Sequence, residues 1–332
     1  MYGQCILCLE STELLTEEHI FPEAVGGNIA KYVLCKPCND ELGRWVDAPY
    51  VDQKHIQLAR VAYKIKGKTG NIPQPFSETY SLNGSDGQLK IKLDKDFTPR
   101  VVPQAPKVWV TEGGEVGFSL SRDVKDRKDI PKIIRTVLSR FFKSEEGKRL
   151  GWSDEQKENA IQRAIDGATR VEPRSEQIKS PLGGRWTIEL KALFAEHIKV
   201  IYEIRCLEFG APYINSPSGG RLRAFLRAQC CDEPEPWDLK DMAKHLNVAP
   251  QIPKDLDGFI KYLTNGNPHT HHIAVVTPAS VVCSMLGMGA VFHDGDLDQA
   301  PGVADIVKVY ISSVTGGKSG IFCLHELLGD GQ

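Results

Sequence analysis

Four cysteines stand in two pairs near the start of the chain, Cys5-x-x-Cys8 and Cys35-x-x-Cys38, with 26 residues between the pairs. A Cys-x-x-Cys turn presents two thiolates at the bite a tetrahedral Zn²⁺ needs, and two such turns close a four-sulfur structural site. Between the pairs lies TEEHIFPEAVGG, Thr16 to Gly27, in which His19 follows an acid and precedes Ile-Phe-Pro. His19 has three candidate roles: zinc ligand, core residue or base. Four cysteines already fill the zinc site, so the ligand role falls away and core packing or chemistry remains. Glu-His-Ile recurs at Glu196-His197-Ile198, inside an apolar helical run without a cysteine pair. There the periodicity predicts a helix residue with its ring half-buried.

Around His19 the residues form a longer pattern. It runs through Cys5, Cys8, Glu18, His19, Pro22, Gly26, Gly27, Cys35, Cys38, Asn39, Gly43 and Asp47. This pattern resembles the HNH endonucleases, and more narrowly their zinc-knuckle branch with a Glu-His pair and Cys-Asn. The resemblance covers the first fifty-odd residues. It implies a ββα-metal finger, two strands and a helix around one catalytic divalent ion, clamped by structural zinc. By position, His19 resembles the family's general base and Glu18 the acid that holds the catalytic metal. Asn39 stands as a second metal ligand on the helix. Hard oxygens from Glu18 and Asn39 suit Mg²⁺ or Mn²⁺. The sequence departs from the family at the residue that orients the histidine, usually an asparagine, where Ala30 stands. Asn28 is the nearest asparagine, and either Asn28 or a backbone carbonyl takes that role. Asp47 reads as a local cap or pair and is left outside the chemistry.

The resemblance implies hydrolysis of DNA phosphodiesters, with RNA kept open as a substrate. It fits a restriction or anti-phage defence setting. Two other readings stand beside it: a non-catalytic zinc module that binds nucleic acid or a protein partner, and an effector nuclease gated by a ligand or protein on the large domain. Double-strand cutting by a one-site nuclease would call for a homodimer.

Charge bounds how nucleic acid could be held. The formal net charge is -2 over 332 residues, so any such partner meets a local patch, not a basic protein. Residues 1–55 carry nine acidic and four basic side chains and would repel DNA. Ten basic residues crowd positions 122–149, among them Lys128, Lys132 and Arg135. Arg221, Arg223 and Arg227 form a second cluster. These six are the candidate phosphate contacts, weighed against solvated helix faces. No apolar run reaches the roughly 20 residues of a membrane helix, and the start lacks the charged region of a signal peptide. With an odd count of nine cysteines, a reducing, cytoplasmic compartment is expected.

The elements that must position these residues follow from pattern and punctuation. The fold class is α+β: a small zinc-bound ββα-metal finger over 1–55, then a larger mixed α+β domain over 56–332, with a candidate subdivision near 125. Asn39 is expected to open a helix to about Val46, and residues 47–68 to form another. Hairpins are predicted over 78–93 and 107–121. Ile130, Ile134, Val137, Leu138 and Phe141 mark one helix face, and Ser153 with Gln156 a capping box. A strand is expected over 184–190, a long apolar helix closed by Gly210, a helix over 218–229, and strands over 271–277, 289–294, 306–314 and 320–327. HTHH, His269 to His272, reads as a strand start in preference to a metal site.

Overall fold

A computed structural model describes residues 3–67, 70–76, 78–81, 88–93, 98–101, 106–120, 122, 124–170, 187–252, 254–295, 307–317 and 319–328. It is a mixed α+β chain in two compact units. Met1–Pro73 and Trp186–Gln332 make one, and Gln74–Arg185 the other. This division differs from the expected one at residue 55. A 55-residue finger buries too little surface to stand alone, and the apolar face of this one is completed by segments after residue 186.

The finger begins with β1 (Thr16–His19) antiparallel to β2 (Ala30–Leu34). Cys35 caps α1 (Lys36–Leu42), which starts three residues before Asn39, with Pro37 in its first turn where a missing N–H costs nothing. A π-helical turn, Gly43–Asp47, follows and leads into α2 (Ala48–Val51). The helix expected over 47–68 is broken at Gln53, whose ψ of 140° is extended, and resumes as α3 (Lys54–Ala62).

The 74–185 unit holds β3 (Glu78–Ser81), β4 (Gln88–Leu93) and β5 (Pro99–Val101) in one sheet, and β6 (Lys107–Val110) with β7 (Val116–Ser119) as a hairpin. Three helices follow: α4 (Ile130–Lys143), α5 (Glu145–Arg149) and α6 (Asp154–Arg170). Ile134 and Leu138 of α4 pack on Ile161 of α6 as the spacing requires, with Ile130 and Phe141 partly buried beside them, and Phe142, outside the expected face, joins the same core. The predicted capping box forms in both directions: Gln156 N–H donates to Ser153 Oγ at 3.2 Å, and Ser153 N–H to Gln156 Oε1 at 2.7 Å.

The first unit resumes with α7 (Leu190–Phe209), α8 (Ala211–Ile214), α9 (Pro217–Gln229), α10 (Leu239–Leu246), β8 (Val248–Ala249) and α11 (Lys254–Leu263). Five strands and a helix complete its described residues: β9 (His271–Val276), β10 (Ser280–Met285), β11 (Met288–His293), β12 (Lys308–Ser313), β13 (Gly320–Cys323) and α12 (Leu324–Leu328). Thr187–Glu189 is not a strand but the lead-in to α7. Strand β10 was not expected from the sequence. It joins β11 through Leu286 and Gly287, both at positive φ, as a two-residue hairpin requires. The sheet order is β13-β12-β9-β10-β11-β8. Its side chains alternate between two cores. Ile273, Val275, Val309 and Ile311 meet Ile260 of α11. Ala274, Val276, Val281, Cys283 and Tyr310 belong to the same core as Ile198 and Ile201 of α7 and Ile20, Phe21 and Leu34 of the finger. Coverage on both faces explains why these strands read as unbroken apolar runs. Among the described residues no helix is long and apolar enough to cross a membrane.

Candidate active site

The zinc cluster is built by the two knuckles. The Sγ atoms of Cys5, Cys8, Cys35 and Cys38 lie within 4.8 Å of one another. Cys8 and Cys35 sulfurs are 3.8 Å apart. A tetrahedron with Zn–S bonds of about 2.3 Å has an edge of about 3.8 Å, so the cluster fits a structural zinc. Burial pushes the Cys8 and Cys38 thiols up from their ordinary range, so metal must displace protons to bind. Leu9, at a φ of 63°, closes the first knuckle.

From the knuckles the chain runs into β1, where alternation turns Glu18 inward and Glu17 outward. Glu18 is buried, and His19, the last strand residue, is half-buried. His19 pairs with Ala30 across the ladder. The residue standing where an asparagine was expected is therefore its direct neighbour, and it offers only a methyl group. Among the described residues the His19 side chain makes no hydrogen bond. Asn28 does not take that role. Its amide donates to Ser319 Oγ at 2.8 Å and to Ser313 O at 3.5 Å, and accepts from Ser312 Oγ at 2.9 Å. These contacts fix it to β12 and the turn after it.

Asn39 is a tie between helix and strand. Its Nδ2 donates to Thr16 Oγ1 at 3.0 Å and to Glu17 O at 2.9 Å, across the irregularity between Thr16 and Glu17 in the β1–β2 register. Its Oδ1 accepts no hydrogen bond among the described residues.

Glu18 meets a partner from far along the chain. Lys199 of α7 is fully buried, with Nζ 2.5 Å from Glu18 Oε1 and 2.7 Å from Asp47 Oδ1. The π-helical turn, a form often found at functional sites, ends on Asp47. Burial alone would lower the Lys199 ammonium, but Asp47, Glu18, Glu203 and Glu196 outweigh it and hold the group charged. Glu196 and Glu203, also on α7, are buried without a hydrogen-bond partner at normal geometry. Burial, more than any neighbour, pushes both carboxyls well above the usual range. Helix α7 also reaches the first knuckle, where the Tyr202 hydroxyl donates to Ile6 O.

Glu18, His19, Asn39 and Asp47 line one cavity of about 690 Å³. Six acids line it, Glu17, Glu18, Glu23, Asp40, Asp47 and Asp52, against Lys36 and Arg60. Such a surface concentrates cations and repels phosphate until a cation is present. Carboxylates at Glu18 and Asp47 with the open Asn39 oxygen suit a hard divalent cation. Among the described residues only the four cysteines bring three or more His, Cys, Asp or Glu ligand atoms together, so such an ion would complete its shell with water or substrate.

Residues 5–55 match the HNH endonuclease family. No curated protein and no solved structure matches the chain. The HNH segment thus ends where α3 begins, and α7 and the C-terminal sheet lie outside it. Those outer elements nonetheless seat it. His272 of β9 stacks on Phe21 at 5.3 Å and donates Nε2–H to Val25 O at 3.0 Å. The Gly-Gly turn also reads plainly. Gly26 has a φ of 93° and lies against Val314, and a Cβ at Gly27 would meet Phe21 O at 1.8 Å.

The candidate phosphate contacts are placed differently. Lys128, Lys132 and Arg135 are exposed on the 74–185 unit, where Arg135 Nη1 pairs with Glu158 at 2.7 Å. Arg221 and Arg223 are half-buried on α9, and Arg227 is exposed. Arg223 also serves the fold, since its guanidinium donates to Ile214 O at 2.8 Å. A further cavity of about 760 Å³ lies between α9, α10 and the loop joining them, lined by Phe225, Trp237 and Met242, and is remote in character from the acid-lined site. Sequence reasoning missed Lys199 and set Asp47 aside. The available signal was the stripe Glu196, Lys199, Glu203 at i, i+3, i+7 in an otherwise apolar helix. His197, expected half-buried, is buried, with ring nitrogens 2.7 Å from Leu193 O and 3.2 Å from Met288 O.

Proposed function

We propose that this chain is a divalent-metal-dependent endonuclease that hydrolyses DNA phosphodiester bonds. One observation carries the reading: His19, Glu18 and Asn39 converge on a single acid-lined cavity beside the four-cysteine cluster, within the HNH segment. In this reading His19 takes the proton from the attacking water, the general-base role that histidine fills most often. Glu18 and Asn39 hold the catalytic ion, Mg²⁺ or Mn²⁺. When bound, the ion stabilises charge on the phosphorane and the leaving oxygen. Asn39 also keeps α1 against β1, so the helix-borne ligand and the strand-borne base stay in register.

The DNA would be gripped by Lys128, Lys132, Arg135 and Arg227, since the cavity itself is acidic. We place the protein in the cytoplasm, in restriction or defence, with the segments outside 5–55 choosing the target or controlling the activity.

The test is cleavage of supercoiled plasmid by the purified full chain with Mg²⁺, with Mn²⁺ and with EDTA, repeated with His19→Ala. Nicking or linearisation that needs the metal and falls about 10²–10⁴-fold in His19→Ala is expected. Cleavage that survives His19→Ala, or binding with no cleavage at all, refutes the reading, and the second outcome points to a non-catalytic zinc module.

A further inference from the structure

The acid assigned to the metal is already bonded to a lysine. Lys199 Nζ lies 2.5 Å from Glu18 Oε1 and 2.7 Å from Asp47 Oδ1, and Lys199 is fully buried. Glu18 and Asp47 line the acid-lined cavity while Lys199 does not. The ammonium therefore holds the two carboxylates from the protein side, and the cavity lies on the other.

Around this ammonium stand more acids than it can serve. Glu196 and Glu203 lie three residues before and four residues after Lys199 on α7, the spacing at which helix side chains are neighbours. Both are at least 99% buried and make no hydrogen bond at normal geometry among the described residues. A buried carboxyl without a partner is costly, and two beside one lysine call for a reason.

We propose that Lys199 is a positioning residue that competes with a divalent cation for Glu18, and that Glu196 and Glu203 receive its ammonium when the cation takes that carboxylate. The inference rests on the reading that Glu18 is a ligand of the catalytic ion. It gives the unpartnered acids a role: they keep the lysine within the cluster after Glu18 changes partner. It also makes α7, outside the HNH segment, set how strongly the site holds its ion.

The test is equilibrium Mn²⁺ binding to the zinc-loaded full chain without DNA, read by electron paramagnetic resonance of free Mn²⁺. Lys199→Met removes the competing charge, and binding tenfold tighter or more is expected. The gain is expected to vanish in Lys199→Met/Glu18→Gln. Binding within threefold of wild type in folded Lys199→Met overturns the proposal, as does a gain that survives Glu18→Gln. Because a lone buried lysine removal can unfold the chain, Asp47→Asn is also compared with Lys199→Met/Asp47→Asn, which loses one charge of each sign. Tenfold tighter binding in the double variant supports the proposal, and equal binding overturns it. Glu196→Gln/Glu203→Gln keeps Lys199 and the shape of both side chains. It is expected to weaken Mn²⁺ binding threefold or more, and unchanged binding overturns the receiving role. Flat isotherms beside His19-dependent cleavage sink this inference alone. Absent cleavage beside the expected isotherms sinks the nuclease reading alone.

Discussion

Lowering the pH from 7 to 5 is expected to loosen the seat of the finger through one histidine. His272 is fully buried on β9, stacked on Phe21, with Nε2–H bonded to Val25 O and Nδ1 buried without a partner. A second proton would place an N–H where no acceptor lies. Burial, above all, lowers its pKa to about 4, against about 6.5 in the unfolded chain. The folded value is depressed, so between these pH values the unfolded chain binds more protons. Its contribution to stability is full above about pH 6.5 and is lost as pH falls toward 4. Between pH 7 and pH 5 that difference amounts to about 2 kcal/mol. His272→Phe keeps a ring on Phe21 and removes the titration. Urea unfolding of both proteins in zinc-containing buffer at pH 7, 6 and 5 is the assay. Other acid-sensitive groups, the zinc thiolates included, act in both proteins and cancel in the comparison. Wild type is expected to lose about 2 kcal/mol more than the variant over this range. Parallel pH curves would refute the reasoning, whatever the variant's stability at pH 7.

Three further outcomes are expected. Gly27→Ala forces a Cβ toward Phe21 O. It should cost roughly 1–3 kcal/mol, toward the upper end because the obstacle is backbone, measured by urea midpoint. Asn28→Ala breaks side-chain bonds to Ser312 and Ser319 and should cost about 1–2 kcal/mol, while plasmid cleavage by the folded variant stays within a few-fold of wild type; a loss as deep as that of His19→Ala would restore Asn28 to the chemistry. Arg205→Met takes the guanidinium from buried Asp294, 2.5 Å away, and leaves the carboxylate charge with the Ser218 hydroxyl at 3.0 Å; this should cost about 3–5 kcal/mol in chemical denaturation.

The parts of this fold that local chemistry dictates were legible in the sequence. Each knuckle, the Ser153 capping box and the hairpin at β6–β7 depend on residues within a few positions of one another. The elements read less well are those whose meaning is set at a distance. Strand β10 escaped because both its faces are buried, which erases the alternation that marks a strand. Of the strand expected over 184–190, residues 184–186 lie outside the described residues; the remainder, Thr187 to Leu190, is too short to tell a strand from the approach to a helix. In the candidate site, the family resemblance pointed to His19, Glu18 and Asn39, and all three line the acid-lined cavity. Lys199 was not legible, because a charged stripe on a helix ordinarily faces water, and only the packing of α7 on the finger reverses that. Asn28 misled for the same reason: proximity in sequence to His19 counts for less than Ser312, 284 residues away, to which it is bonded.

The pairing of Glu18 with Lys199 also sets a clock on synthesis. The lysine follows the glutamate by 199 − 18 = 181 residues, and at roughly 5–20 residues per second a ribosome needs about 10–40 s to travel that far. Throughout that interval the emerging finger can gather its four cysteines, but the counter-charge for its inward-facing acid has not been translated. A nascent or prematurely released fragment that stops short of α7 carries the whole HNH segment and yet lacks the floor of its site. The order of translation thus leaves the acid-lined cavity without its buried counter-charge until most of the polypeptide has been made.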